Sequence, residues 1–83
     1  MSFKLVYVRF YDHFSEDSVE DPDRLRPTVV EAVGWLIRED DRYLYLSPWI
    51  SRDEKVAYDI NGILKSTIIE VRELETPNDR RRV

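Results

Sequence analysis

The sequence predicts a mainly β chain: a small antiparallel five-stranded barrel or rolled sheet, with one short helical turn in an acidic insert. Three observations predict it. Short runs rich in Val, Ile, Tyr, Phe and Trp alternate with polar clusters. Helical signals are few. Gly34 and Pro48 stand where strands have to bend or stop. At 83 residues there is room for one domain. It is expected over residues 1–75, with 76–83 a flexible basic tail.

The first strand is expected over Phe3–Tyr11. Val6, Val8 and Phe10 fall on one face and Phe3, Leu5, Tyr7 and Tyr11 on the other, the pattern of a strand covered on both sides. His13–Thr28 is then a long connection carrying Glu16, Asp17, Glu20, Asp21 and Asp23. Within it, Asp21–Leu25 reads as a helical turn. Asp21 can accept from orphan backbone N–H groups, Pro22 fits the first helical position, and Pro27 stops the turn.

Thr28–Arg38 is the second strand, with Val29, Val33, Trp35 and Ile37 on one face and Val30, Ala32 and Leu36 on the other. Gly34 predicts a bulge or sharp bend within it. Glu39-Asp40-Asp41 turns the chain into a third strand, Arg42–Ile50. Leu44 and Leu46 point one way there, and Tyr43, Tyr45 and Trp49 the other. Pro48 cannot donate to a ladder and marks an edge or the strand's end.

After a polar turn at Ser51–Lys55, two readings compete. Lys55–Ile60 and Ile63–Val71 could form a hairpin about Asn61-Gly62. Alternatively Val56–Leu64 is one strand, Lys65-Ser66-Thr67 a tight turn and Ile68–Leu74 the last strand. The second gives more ordinary strand lengths and is preferred.

Composition bounds the function. A hydrophobic content of 42% with 12% aromatics excludes a disordered tail. The net charge of −4 is uneven: residues 1–41 hold five basic and ten acidic side chains, residues 42–83 eight basic and seven acidic. An acidic chain repels phosphate backbones unless one face is locally basic. Without cysteine there is no disulfide framework or thiolate zinc site. Met1–Lys4 is unlike a signal peptide, and the longest apolar run, Ala32–Ile37, falls far short of the ~20 residues that span a bilayer. The expectation is a soluble, cytoplasmic protein.

Four strings together carry a resemblance: YDHFSEDS (Tyr11–Ser18), VGWLIRED (Val33–Asp40), YLYLSPWIS (Tyr43–Ser51) and ILKSTIIEVREL (Ile63–Leu74). Over residues 3–75 the chain resembles a group of short prokaryotic and phage-encoded hypothetical proteins of unknown function. That group has no assigned activity, so the resemblance implies no functional residue. Where the group often has proline before the lysine of the closing segment, this chain has Leu64. In architecture the strand order is also similar to SH3-like and Sm-like barrels. The basic-Gly-acid segment of Sm-like RNA proteins is replaced here by Asn61-Gly62-Ile63-Leu64-Lys65, so that likeness implies fold alone.

Candidate chemistry is sparse. His13, the only histidine, lies beside Asp12 and near Glu16 and Asp17, but a metal site needs three or four converging ligands. A solvated loop is the favoured reading. The acidic stretch Glu16–Asp23 lacks the spacing of a calcium loop. Ser15, Ser47, Ser51 and Ser66 have no G-x-S-x-G context, and two glycines cannot build a phosphate cradle. No enzyme activity, metal or cofactor is expected, and no small-molecule substrate.

The aromatics are the informative surplus. Tyr43, Tyr45 and Trp49, with Arg42 and Arg52 at the ends, could form a partner-binding patch, because Tyr and Trp combine a large apolar body with a polar tip. They could instead stack single-stranded bases, with the arginines and Lys65 on phosphates, or simply cover the sheet. Arg80-Arg81-Arg82 reads as a solvated terminus. The expected role is a non-catalytic interaction module that binds a protein partner or itself through an aromatic face or sheet edge. The alternative is a nucleic-acid-binding barrel.

Overall fold

The computed structural model describes residues 3–12, 21, 23 and 26–76. Seven antiparallel strands account for most of them: β1 (Lys4–Tyr11), β2 (Val29–Glu39), β3 (Tyr43–Ser47), β4 (Trp49–Ser51), β5 (Val56–Tyr58), β6 (Asn61–Leu64) and β7 (Ile68–Leu74). A 3-10 turn, Lys65–Thr67, joins the last two. Five strands form one sheet in the order β6-β3-β2-β1-β7, and β4 and β5 form a separate hairpin.

The alternation predicted for β1 and β3 sets the core. Val6 and Val8 of β1 are buried with Leu44 and Leu46 of β3 and Ile63 of β6, and Phe10, Ala32, Leu36 and Ile68 pack around them. The opposite face carries Tyr7 opposite Val33 and Leu5 opposite Trp35.

β6 and β7 follow one another in sequence yet occupy opposite edges of the sheet. Laid flat, five strands would hold those edges ~19 Å apart. Four Cα steps from Leu64 to Ile68 reach no more than ~14 Å. The sheet therefore curls about its core. It does not close: β6 and β7 are not hydrogen-bonded to each other, so of the two expected forms the structure is an open rolled sheet and not a closed barrel. A cleft of about 340 Å³ stands on the core side, lined by Leu36, Glu39, Leu44, Lys65, Ile68 and Val71.

The structure corrects several local expectations. Gly34 forms no bulge and pairs regularly with Val6. The register shifts between Leu36 and Arg38, leaving Ile37 as the extra residue. Gly34 is instead required by packing, since a Cβ there would meet the Ser47 carbonyl oxygen at 3.1 Å and Leu46 Cβ at 3.3 Å. The third strand does not run through Ile50. It stops at Ser47, and beyond Pro48 the chain begins β4, paired with β5.

Of the two readings of the C-terminal half, the preferred one places Lys65–Thr67 and Ile68–Leu74 correctly. Its single strand Val56–Leu64 is broken at Asp59, whose φ of 52° turns the chain from β4 towards β3. Asn61-Gly62 makes no hairpin turn and lies in edge strand β6. Of the predicted turn at Asp21–Leu25, the Asp23 N–H donates to Asp21 Oδ1 at 3.1 Å, and the other three residues lie outside the described set. So do His13, Ser15, Glu16, Asp17, Glu20 and Arg80–Arg82. Among the described residues no helix is long and apolar enough to cross a membrane.

Candidate interaction surface

The sheet face away from the core gathers aromatic rings and arginines by register. Tyr7 on β1 lies opposite Arg72 on β7, and the Arg72 guanidinium sits 4.8 Å from the Tyr7 ring centre. Tyr45 on β3 lies opposite Arg38 on β2, whose guanidinium is 5.5 Å from the Tyr45 ring. Arg52, from the β4–β5 turn, reaches back over Trp35 at 5.2 Å.

Its charges are largely paired within the face. The Tyr7 hydroxyl donates to Glu31 Oε1 at 2.8 Å, and that hydrogen bond, with burial, raises the phenol above its ordinary value. Arg72 Nε meets Glu70 Oε2 at 2.9 Å, and Arg9 Nη2 meets Glu70 Oε1 at 3.4 Å. Burial and the neighbouring Asp40 carboxylate raise the Tyr45 phenol, which donates to Asp40 Oδ2 at 3.3 Å.

Asp40 organises the β2–β3 turn. Its Oδ1 accepts from the N–H groups of Arg42 at 2.9 Å and Tyr43 at 2.8 Å. Those two backbone donors hold its carboxyl below the usual value, with Arg38 (Nη2 to Oδ2, 3.6 Å) assisting.

The five residues predicted as a patch are divided between two places. Tyr43 and Tyr45 stay together, with ring centres 5.8 Å apart, and both press on Gly62, where a Cβ would meet Tyr45 Cε1 at 3.3 Å. Arg42 lies in the turn, its carbonyl accepting from the Lys65 N–H at 2.7 Å. Trp49 departs with β4, pairs with Tyr58 across the hairpin and is 59% exposed. Arg52 joins Trp35 rather than Trp49.

Sequence reasoning missed Arg38, Arg72, Tyr7 and Trp35 as partners, because only cross-strand register brings them together. It also missed Ser47, which is fully buried. The Ser47 Oγ accepts from the Tyr58 N–H at 3.1 Å. It lies 2.6 Å from the Trp49 carbonyl and 2.5 Å from the Tyr58 carbonyl, which compete for its one proton. This hydroxyl ties the hairpin to the sheet.

Among the described residues no three His, Asp or Glu side chains converge as a metal site would require. Comparison with family models, with curated proteins and with solved structures returns no match.

Proposed function

We propose that the chain is a non-catalytic interaction module that binds a protein through the outer face of its sheet and the adjoining hairpin. The observation that carries this reading is the exposure of Trp49, which lies beside the half-exposed Tyr58 while the core is built from residues as small as valine. An exposed Trp–Tyr pair is the composition of an interface hot spot, and burying it against a partner removes a large apolar area from water. The strand order, with consecutive strands on opposite edges joined by one 3-10 turn, supports an open SH3-like barrel as the scaffold.

The nucleic-acid alternative is weaker on electrostatic grounds. A phosphate backbone would have to displace Asp40 from Arg38, Glu70 from Arg72, and Glu39 from Lys65, whose ammonium is 2.6 Å from that carboxylate. Of the cations proposed to meet phosphates, that leaves Arg42 and Arg52, a thin electrostatic footprint on a chain of net charge −4.

The test is affinity capture from the host lysate with wild type and Trp49→Ala, at about 0.1 M and about 0.5 M salt. A bound protein that survives the higher salt and is lost with Trp49→Ala is the expected outcome. Bound nucleic acid that is released by salt and insensitive to Trp49→Ala would replace this reading with the alternative. Circular dichroism of Trp49→Ala should be unchanged, because the ring packs against little.

A further inference from the structure

The second surface is the edge of β7, which among the described residues pairs with no other strand. An edge strand is a template for another strand, and proteins blunt theirs with short length, proline, charged side chains (lysine above all) or bulges. The other edges comply: β6 has four residues with Gly62 under the tyrosine rings, and β4 and β5 have three each. β7 is the longest of these edges at seven residues, IIEVREL, and its protection is its charges, Glu70, Arg72 and Glu73, of which the first two are of opposite sign. Its one irregularity, a register shift against β1, falls at its start, and Glu70–Leu74 then run regularly. Ile69 is 39% and Val71 46% exposed.

The charge pattern of this strand is self-complementary. Two antiparallel copies of β7 related by a two-fold axis through Val71 set Val71 against the partner's Val71. They also set Glu70 against the partner's Arg72 and Arg72 against the partner's Glu70. The register thus produces two opposite-charge cross-strand pairs flanking an apolar one. Glu70 and Arg72 already lie side by side on the outer face, 2.9 Å apart, so the axis would build an alternating quartet of charges.

We infer that the chain dimerises through β7, a second copy adding its own β7 antiparallel to the free edge about Val71 and joining the two sheets into one of ten strands. The inference rests on the reading of the chain as an interaction module and names its partner at this edge as itself.

Light scattering and sedimentation from about 1 μM to about 500 μM test it. Wild type is expected to pass from monomer to dimer across that range. Arg72→Glu and Glu70→Arg each place like charges across the axis and should weaken the dimer about tenfold or more. Their equimolar mixture restores both opposite pairs and should dimerise again, which a merely damaged fold would not do. A wild type that stays monomeric throughout, or single variants that dimerise as wild type does, would overturn the inference.

Should either variant fail to fold, amide exchange of wild type decides. The outward β7 amides should slow with protein concentration, and concentration-independent exchange counts against pairing. A monomer that still captures protein through Trp49 sinks this inference alone. A β7 dimer that captures nothing through Trp49 sinks the outer-face reading alone.

Discussion

In the five-stranded sheet, Val6, Val8, Leu44, Leu46 and Ile63 are buried against one another. In the β4–β5 hairpin no hydrophobic side chain is buried, and its ties to the sheet are the Ser47 hydroxyl and Arg52 over Trp35. The sheet is thus held by many nondirectional contacts that share the load. The hairpin is held by a few directional contacts, the hydrogen bonds at Ser47 and one cation–ring stack. A structure of the first kind should fail globally and one of the second kind locally. That difference suits a module whose hairpin carries the exposed Trp49, since local adjustment there leaves the core untouched.

The sharpest way to break this comparison is Leu44→Ala. Leu44 is buried and lies opposite Ile63 on β6 and Glu39 on β2. Emptying its site should cost about 2–5 kcal/mol. A domain of this size is stable by only about 4–12 kcal/mol, so the urea midpoint should fall steeply, followed by tryptophan fluorescence. Amide exchange should accelerate across all five strands together. A loss confined to β3 would mean that the core is not cooperative.

Ser47→Ala makes the opposite claim. It removes the acceptor of the Tyr58 N–H and the donor shared by two carbonyls, at a cost of about 1–3 kcal/mol. Its expected signature is local: exchange at Tyr58 and Ala57 should quicken while Val8 and Leu46 keep their protection. A global loss as large as that of Leu44→Ala would erase the distinction between the two regions.

The two regions also differ in how far they could be read from sequence. Alternation revealed the faces of β1 and β3, because Val6, Val8, Leu44 and Leu46 follow the period of a pleated strand. Lys65–Thr67 revealed the turn before β7, a local signal, whereas Pro48 offered either an edge or an end, and the strand expected through Ile50 stops at Ser47. Asn61-Gly62 misled as one of two options. Its usual hairpin role needs positive φ, yet here that conformation falls on Asp59, and Gly62 serves to admit the Tyr45 ring. The candidate surface was half legible: Tyr43 and Tyr45 are two residues apart on one strand, and that spacing alone puts them side by side. Arg72 over Tyr7 and Arg52 over Trp35 depend on which strands pair and in what register. No local pattern encodes that. Nor does any pattern reveal Ser47 as an anchor, because a buried serine in a strand resembles an exposed one until its partners are placed.

The smallest effect compares the turns that close the two regions. The β2–β3 turn of the sheet is capped by the Asp40 carboxylate, which accepts two N–H groups. The β4–β5 turn is capped by a hydroxyl, Ser51 Oγ accepting from the Glu54 N–H at 3.2 Å. Only the first can titrate. The folded Asp40 carboxyl lies below its ordinary value, so the folded state binds its proton more weakly than the unfolded chain does. Its stabilising contribution is therefore fully present above the unfolded value of about 3.9, and is lost as pH falls through the folded one. Asp40→Asn keeps an oxygen acceptor for the two N–H groups and cannot ionise. The difference in urea midpoint between wild type and this variant should favour wild type near neutrality and shrink as pH falls below the unfolded value of about 3.9. Because the other carboxylates titrate alike in both proteins, the difference isolates Asp40. A gap that persists unchanged in acid would mean that the Asp40 charge does not set it, since the backbone pairing of Asp40 with Tyr43 is common to both proteins.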